Sequence, residues 1–169
     1  RACRLIRQRH GVELDIHSIP LDDPKTFELL GSGEVLGVFQ VEGAGMRRYL
    51  TEMKPLNLSH VTAMVALYRP GPMEFIPAFI RRMHGEEAVT YRHPSLAPIL
   101  EETYGITVYQ EQIMYTAMNL AGYTASEADE LRKAVAKKKE KALRHQRKAF
   151  VEGAQRQGVP KQTADAIFD

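Results

Sequence analysis

One cysteine, Cys3, is all the chain has. No disulfide can therefore close within it, as expected of a protein kept in a reducing compartment. No run approaches the roughly 20 apolar residues that a membrane-spanning helix needs. The first residues, "RACRLIRQRHG", are charged throughout and lack the apolar stretch of a secretion signal. These absences set the expectation of a cytoplasmic protein. Metal chemistry is equally poorly provided for. His10, His17, His60, His84, His93 and His145 are scattered, no two stand in HxxxH spacing, and a lone cysteine cannot complete a thiolate site. No metal ligand is expected. The glycine-rich "GSGEVLGVFQVEGAG" contains neither G-x-G-x-x-G nor GK[ST], so ordinary turns are expected instead of a phosphate loop. No nucleophile–base pair is found and no catalytic residue is assigned. The acidic pairs Asp22–Asp23 and Glu101–Glu102 fall at expected helix ends, where the helix dipole accounts for them.

What remains is an ordinary soluble composition, 44% hydrophobic and 26% charged, in 169 residues. That length suits one domain with a real core or two small lobes. The net charge of +2 is too small to mark a nucleic-acid binder by itself. The first residue is not Met and stands in an expected helix, and "KQTADAIFD" is expected to be helical to its last residues. Both ends are expected to be cut points in a longer protein.

The periodicity predicts a mainly α fold with a few short strands. Asp23 before Pro24 is a helix start, and that helix is expected to stop at Gly31 or Gly33. "EVLGVFQVE" and "ITVYQ" carry the β-branched and aromatic residues of short strands. A helix capped near Asn57 or Ser59 must end by Tyr68 or Arg69, because Pro70 disfavours α geometry before it. "MEFIPAFIRRMHG" is expected to be helical with an interruption at Pro77, and "PSLAPILEETYG" to form one short helix. After "ITVYQ", Ile113, Ala117, Leu120 and Ala121 share one helix face. Thr124 and Glu127 have capping-box spacing. The glycine- and proline-rich 68–77 is the best placed hinge.

Charge is concentrated in "LRKAVAKKKEKALRHQRKAF", residues 131–150, where Glu140 is the only acid. Taken as one helix, Lys133, Lys137, Lys141, Arg144 and Lys148 lie within a stripe about 80° wide at about 100° per residue. Such a stripe suits an anionic target. It equally suits a solvated face near a helix C-terminus, where cations are favoured. Composition leaves that choice open.

Other stretches narrow it. "FQVEGAGM" (Phe39–Met46), "ALYRPGP" (Ala66–Pro72), "RRMHG" (Arg81–Gly85), "YGITVYQEQIM" (Tyr104–Met114), "LAGYT" (Leu120–Thr124), "ADELRKAVAKKK" (Ala128–Lys139) and "FVEGA" (Phe150–Ala154) follow in order. Together they resemble the bacterial replicative DNA polymerase III alpha subunit family, the C-family polymerases, from about Ile19 to Asp169. The resemblance implies a fingers domain over 19–169, truncated at its C-terminus, preceded by a palm-to-fingers connecting segment, 1–18. In that family the palm resembles polymerase-beta-like nucleotidyltransferases and carries three metal-binding aspartates, N-terminal to the stretch present here. No D-x-D occurs in this chain, and Asp22–Asp23 is no substitute because adjacent side chains point different ways.

The implied parent is a DNA-directed DNA polymerase acting in DNA replication. Its partners are primer–template DNA, a deoxynucleoside triphosphate and other replisome subunits reached through the parent chain, with no membrane. Mg²⁺ is implied for the parent, with ligands outside this chain. The chain alone is expected to be inactive. By match to the family's basic motif, Arg132, Lys133, Lys137 and Lys138 are the implied triphosphate-binding cations. Arg69, held extended before Pro70, is either a fixed guanidinium near the nucleotide or a helix-end ion pair. Tyr109, Gln110 and Gln112 are implied contacts to base or sugar, or else a polar first helical turn. Lys141 and Arg144 are implied DNA contacts. Gln40 and Glu42 suit packing or turn roles at least as well. The family usually has Met-Gly before the lysines and often Pro after them, where this chain has Val135–Ala136 and Glu140. Losing two helix breakers predicts a straighter, longer helix here. A competing reading is a stand-alone helical module that holds nucleic acid without catalysis.

Overall fold

A computed structural model of the chain describes residues 1–137 and 140–169. The chain divides into two compact units, Arg1–Val65 and Ala66–Asp169. Among the described residues the regular structure is helical, with no strand, and no helix is long and apolar enough to cross a membrane.

In the first unit, α1 (Ala2–His10) buries none of its residues and closes at Gly11, whose positive φ of 68° suits glycine. The start of α2 (Pro24–Ser32) is the expected one. Asp23 accepts from the Lys25 amide at 3.3 Å and from the Thr26 hydroxyl at 2.7 Å, with Pro24 in the first turn. α2 packs on α3 (Ala44–Met53), and Phe27, Leu30, Met46, Leu50 and Met53 are buried. α4 (Leu58–Leu67) is capped by Asn57, whose side-chain oxygen accepts from the His60 amide at 2.9 Å.

The strand expected over "EVLGVFQVE" is a looped turn instead. Gly37 and Gln40 have φ of 80° and 66°, which no strand accommodates. Val38 N–H donates to Val35 O at 3.0 Å, Val41 N–H to Val38 O at 3.2 Å, and Gly37 N–H to a Glu42 carboxylate oxygen at 3.0 Å. The β-branched residues are there to anchor the turn, since Val35 and Val41 are buried while Leu36 and Phe39 are exposed. Glu42 thus has the turn role.

The second unit continues with α5 (Ile76–Met83). Pro77 lies in its first turn and starts the helix without interrupting it, after a separate 3-10 turn at Pro72–Phe75. "PSLAPILEETYG" is three pieces, a short α6 (Ala97–Leu100) between 3-10 turns at Pro94–Leu96 and Glu101–Thr103. Then come α7 (Gln110–Ala121), α8 (Ala125–Ala136), α9 (Glu140–Arg156) and α10 (Lys161–Phe168). α7 packs on both α8 and α9, and α9 carries α10. Leu96, Leu100, Ala117, Leu120, Ala128, Leu131, Phe150, Val151 and Ala154 form the shared core. Burying a side chain such as Leu120 or Phe150 contributes about 1.5–3 kcal/mol. The α7 face expected from periodicity is present: Ala117, Leu120 and Ala121 are buried and Ile113 packs beside them.

The single long basic helix is not found. α8 ends at Ala136 and α9 begins at Glu140. Neither glycine nor proline is needed for that break. α8 must bury Ala128, Leu131 and Ala134, whereas α9 must bury Phe150, Val151, Gly153 and Ala154. Like charges at Lys133, Lys137 and Lys141 would stack one turn apart in a continuous helix and repel. Glu140, in the first turn of α9, complements the positive end of its dipole.

Candidate functional site

The start of α7 is built by one buried side chain. Gln112 is 5% exposed. Its carbonyl oxygen accepts from the Val108 and Tyr109 amides at 2.8 and 2.9 Å, and its NH₂ donates to Ile99 O at 3.1 Å and Thr103 Oγ1 at 2.8 Å. This is why "ITVYQ" forms no strand: its amides bond to a side chain and a turn, with Ile106 N–H on Thr103 O at 3.1 Å. It also corrects the expectation for Gln112, which spends its hydrogen bonds inside the fold and has none for a substrate. Gln112→Ala strands two amides and two acceptors. It is expected to cost about 2 kcal/mol, read as a lowered urea midpoint at unchanged denaturant dependence.

With Gln112 turned inward, Gln110 is left exposed at the helix start, beside a partly buried Tyr109 in extended geometry. Burial, then the nearby Glu102 carboxylate, pushes the Tyr109 phenol pKa up, so its hydroxyl remains a donor at neutral pH.

α8 opens on the expected capping box. Glu127 accepts from the Thr124 amide at 2.7 Å and hydroxyl at 2.8 Å, and Thr124 Oγ1 accepts from the Glu127 amide at 3.3 Å. These bonds hold the Glu127 carboxyl below its usual pKa. Ala128, Leu131 and Ala134 face the core, which turns Asp129, Arg132 and Lys133 outward together. Asp129 lies three and four residues before the two cations. Its Oδ1 accepts from Arg132 Nε at 2.8 Å and lies 2.7 Å from Nη2, and its Oδ2 lies 2.6 Å from Lys133 Nζ. Arg132 Nη1 donates to Gln110 Oε1 at 2.8 Å, which ties α8 to the start of α7. Lys133, then Arg132, keeps the Asp129 carboxyl well ionised by lowering its pKa.

The structure thus brings Gln110, Arg132 and Lys133 together, with Tyr109 next in sequence to Gln110. Lys137 caps α8 one turn beyond Lys133, its amide donating to Lys133 O at 3.1 Å, and its side chain is exposed. Lys138 lies outside the described residues. Lys141 and Arg144 belong to α9. Arg144 is only 3.7 Å from an equally exposed Glu140, an ion pair of little energetic consequence. With Arg82, Arg92 and Arg147 it lines a cleft of about 850 Å³ on which Arg132 and Lys133 do not lie. Arg144 thus lines a cleft that Arg132 and Lys133 do not, and Arg147 beside it is paired with Asp165 and Asp169, so the basic run does not form one stripe. Arg69 is exposed just past α4, and its guanidinium meets no ion-pair partner among the described residues. No bond joins it to the Arg132 cluster.

Asp129 is the member of this cluster that the motifs did not single out. Its signal was present as an acid three and four residues before two cations on a helix face. Among the described residues no group of three His, Cys, Asp or Glu is placed to hold a metal ion.

Residues 1–158 match the family model described as the bacterial DNA polymerase III alpha subunit finger domain. The DNA polymerase III subunit alpha of Halalkalibacterium halodurans is 52% identical over 164 residues, 97% of this chain and 15% of that protein. Its counterpart in Thermus aquaticus is 51% identical over 173 residues, 99% of this chain and 14% of that protein. That of Bacillus subtilis is 48% identical over 165 residues, 98% and 15% respectively. The chain spans about a seventh of the length of these relatives. It belongs to the bacterial DNA polymerase III alpha subunit family, as that family's finger domain.

Proposed function

We propose that this chain is the part of a replicative DNA polymerase that receives the incoming deoxynucleoside triphosphate, and that its α7–α8 face supplies the receiving cations. The single observation that carries this reading is the cluster in which Gln110 and Asp129 present Arg132 and Lys133 on one outward face. Lys137, one turn on, extends it, and Lys138, outside the described residues, is proposed as a further triphosphate contact by match to the family's basic motif. A triphosphate carries about four negative charges, and more charge develops on the leaving pyrophosphate as the bond breaks. Preorganised cations act on that charge with little reorganisation. Tyr109 and Gln110, beside the cluster, are the proposed contacts to base or sugar. Arg69 is proposed as a further triphosphate contact because its guanidinium is exposed and has no ion-pair partner among the described residues. Lys141 and Arg144, both exposed on α9, are proposed DNA contacts through phosphates.

Templated nucleotidyl transfer, primer–template DNA, replisome partners and a cytoplasmic setting belong to the parent protein and are proposed on the strength of family membership. Residues 1–18 are proposed to lead from palm to fingers. Mg²⁺ is proposed for the parent alone. The residues described here provide no ligand set for it, and no step is assigned to it in this chain.

The isolated chain is expected to bind labelled duplex weakly, with affinity falling as salt rises. It is expected to extend no primer when supplied with Mg²⁺ and all four nucleotides. Affinity indifferent to salt, or extension above a mock purification, would contradict this assignment. The stand-alone module reading has less support, since the relatives carry this segment inside much longer polymerase subunits.

A further inference from the structure

We infer that Asp129 and Gln110 are positioning residues, which fix Arg132 and Lys133 in the arrangement that receives the triphosphate. The inference rests on the function proposed above. A long cationic side chain on a helix surface ordinarily samples many rotamers, so its charge arrives at a ligand unaimed. Arg132 is held from two helices. Asp129, on its own helix, takes the edge formed by Nε and Nη2, while Gln110, at the start of α7, takes Nη1. A guanidinium has five N–H donors. These contacts occupy three, so two remain for an anion. Lys133 spends one of its three donors on Asp129. One carboxylate between two cations leaves the trio net positive. The arrangement therefore orders the cations without cancelling them.

Gln110 suits its part because it is neutral. It anchors Arg132 through an amide oxygen and adds no negative charge where the phosphates would come. Its position is set in turn by Gln112, which locks the first turn of α7 from inside. A chain of contacts thus runs from the buried Thr103 through Gln112 and the α7 start to the guanidinium of Arg132.

The test uses the full-length parent with primer–template DNA, measuring single-turnover incorporation over a range of nucleotide concentrations and DNA affinity separately. Asp129→Asn is expected to lower incorporation efficiency about ten- to a hundredfold, as loss of alignment does, with DNA affinity and thermal unfolding unchanged. Asp129→Glu, which keeps the charge, should lose less. Gln110→Ala should show a smaller loss of the same kind. The decisive readout is the combined variant: in an Arg132→Ala, Lys133→Ala background, Asp129→Asn should add little further loss, because both groups it positions are gone. If Asp129→Asn incorporates like wild type while Arg132→Ala is impaired, the positioning role is wrong and the proposed function stands. Tighter nucleotide binding by Asp129→Asn would show that Asp129 competes with the triphosphate, and losses that simply add to those of the Arg132→Ala, Lys133→Ala background would show that it acts independently of the two cations. Either result overturns the inference. If Arg132→Ala is itself unimpaired, the proposed function fails along with it.

Discussion

Replacing Arg132 by alanine in the full-length polymerase is expected to slow nucleotide incorporation about thirty- to a thousandfold, while primer–template affinity changes little. The magnitude follows from where charge develops. Negative charge grows on the pyrophosphate as the bond to it breaks, so a cation aimed there acts mainly in the transition state. Removing one such contact costs on the order of 2–4 kcal/mol. Arg132 is already aimed, held by Asp129 and Gln110, so its contribution needs no ordering during the reaction. Lys138 lies outside the described residues and carries the same expectation through the family's basic motif. Lys148 is the control. It is exposed and 3.9 Å from Glu152, and Lys148→Ala should leave incorporation as it was. Single-turnover incorporation and DNA affinity, measured on all three variants, separate the possibilities. Loss of DNA affinity alone for Arg132→Ala would make this face a duplex-holding surface.

Gly153→Ala is expected to have the largest effect on stability. Gly153 is buried in α9 where that helix crosses the end of α7. A Cβ placed there would stand 2.3 Å from Ala121 O and 3.2 Å from Ala121 C and Cβ. Overfilled cores usually cost about 1–3 kcal/mol because side chains yield. Here the obstacle is backbone, so α9 itself must move. That shift would loosen the Tyr123–Phe150 ring contact, at 6.4 Å between centroids, and the Tyr123 hydroxyl's bond to Gln146 O at 3.2 Å. A loss of about 3 kcal/mol or more is expected, seen as a large fall in the urea midpoint. Unfolding at the wild-type midpoint would show that the two helices have room to spare.

Local signals carried much of this fold. Asp23 with Pro24, Thr124 with Glu127, and glycines just past α1 and α2 mark helix ends because capping involves only neighbours along the chain. The α7 face was visible because burial repeats with the helical period. The errors occur where distant contacts outweigh local preference. Val35 and Val41 look like strand residues, yet they anchor a turn that needs Gly37 and Gln40 at positive φ. The basic run contains no breaker, yet it divides because the two ends of the run bury different residues within the same core. Gln112 was indistinguishable from Gln110 by type and spacing. Only the packing of Thr103 and Ile99 turns one inward and leaves the other outside. "FVEGA" helped to identify the family, but the reason for its glycine, the approach of Ala121, is a contact between residues far apart in sequence.

The central claim is that the phosphates of the incoming nucleotide meet the cations of α8 and the residues just after it. A deoxynucleoside triphosphate carrying a lysine-reactive acyl group on its terminal phosphate tests this directly, since it transfers the acyl group to whichever lysine lies beside that phosphate. With the full-length polymerase on primer–template DNA, peptide mapping is predicted to find the label on Lys133, Lys137 or Lys138, and to find it suppressed by excess natural nucleotide. Label on Lys148 or Lys161, or only on lysines outside this chain, would contradict the account.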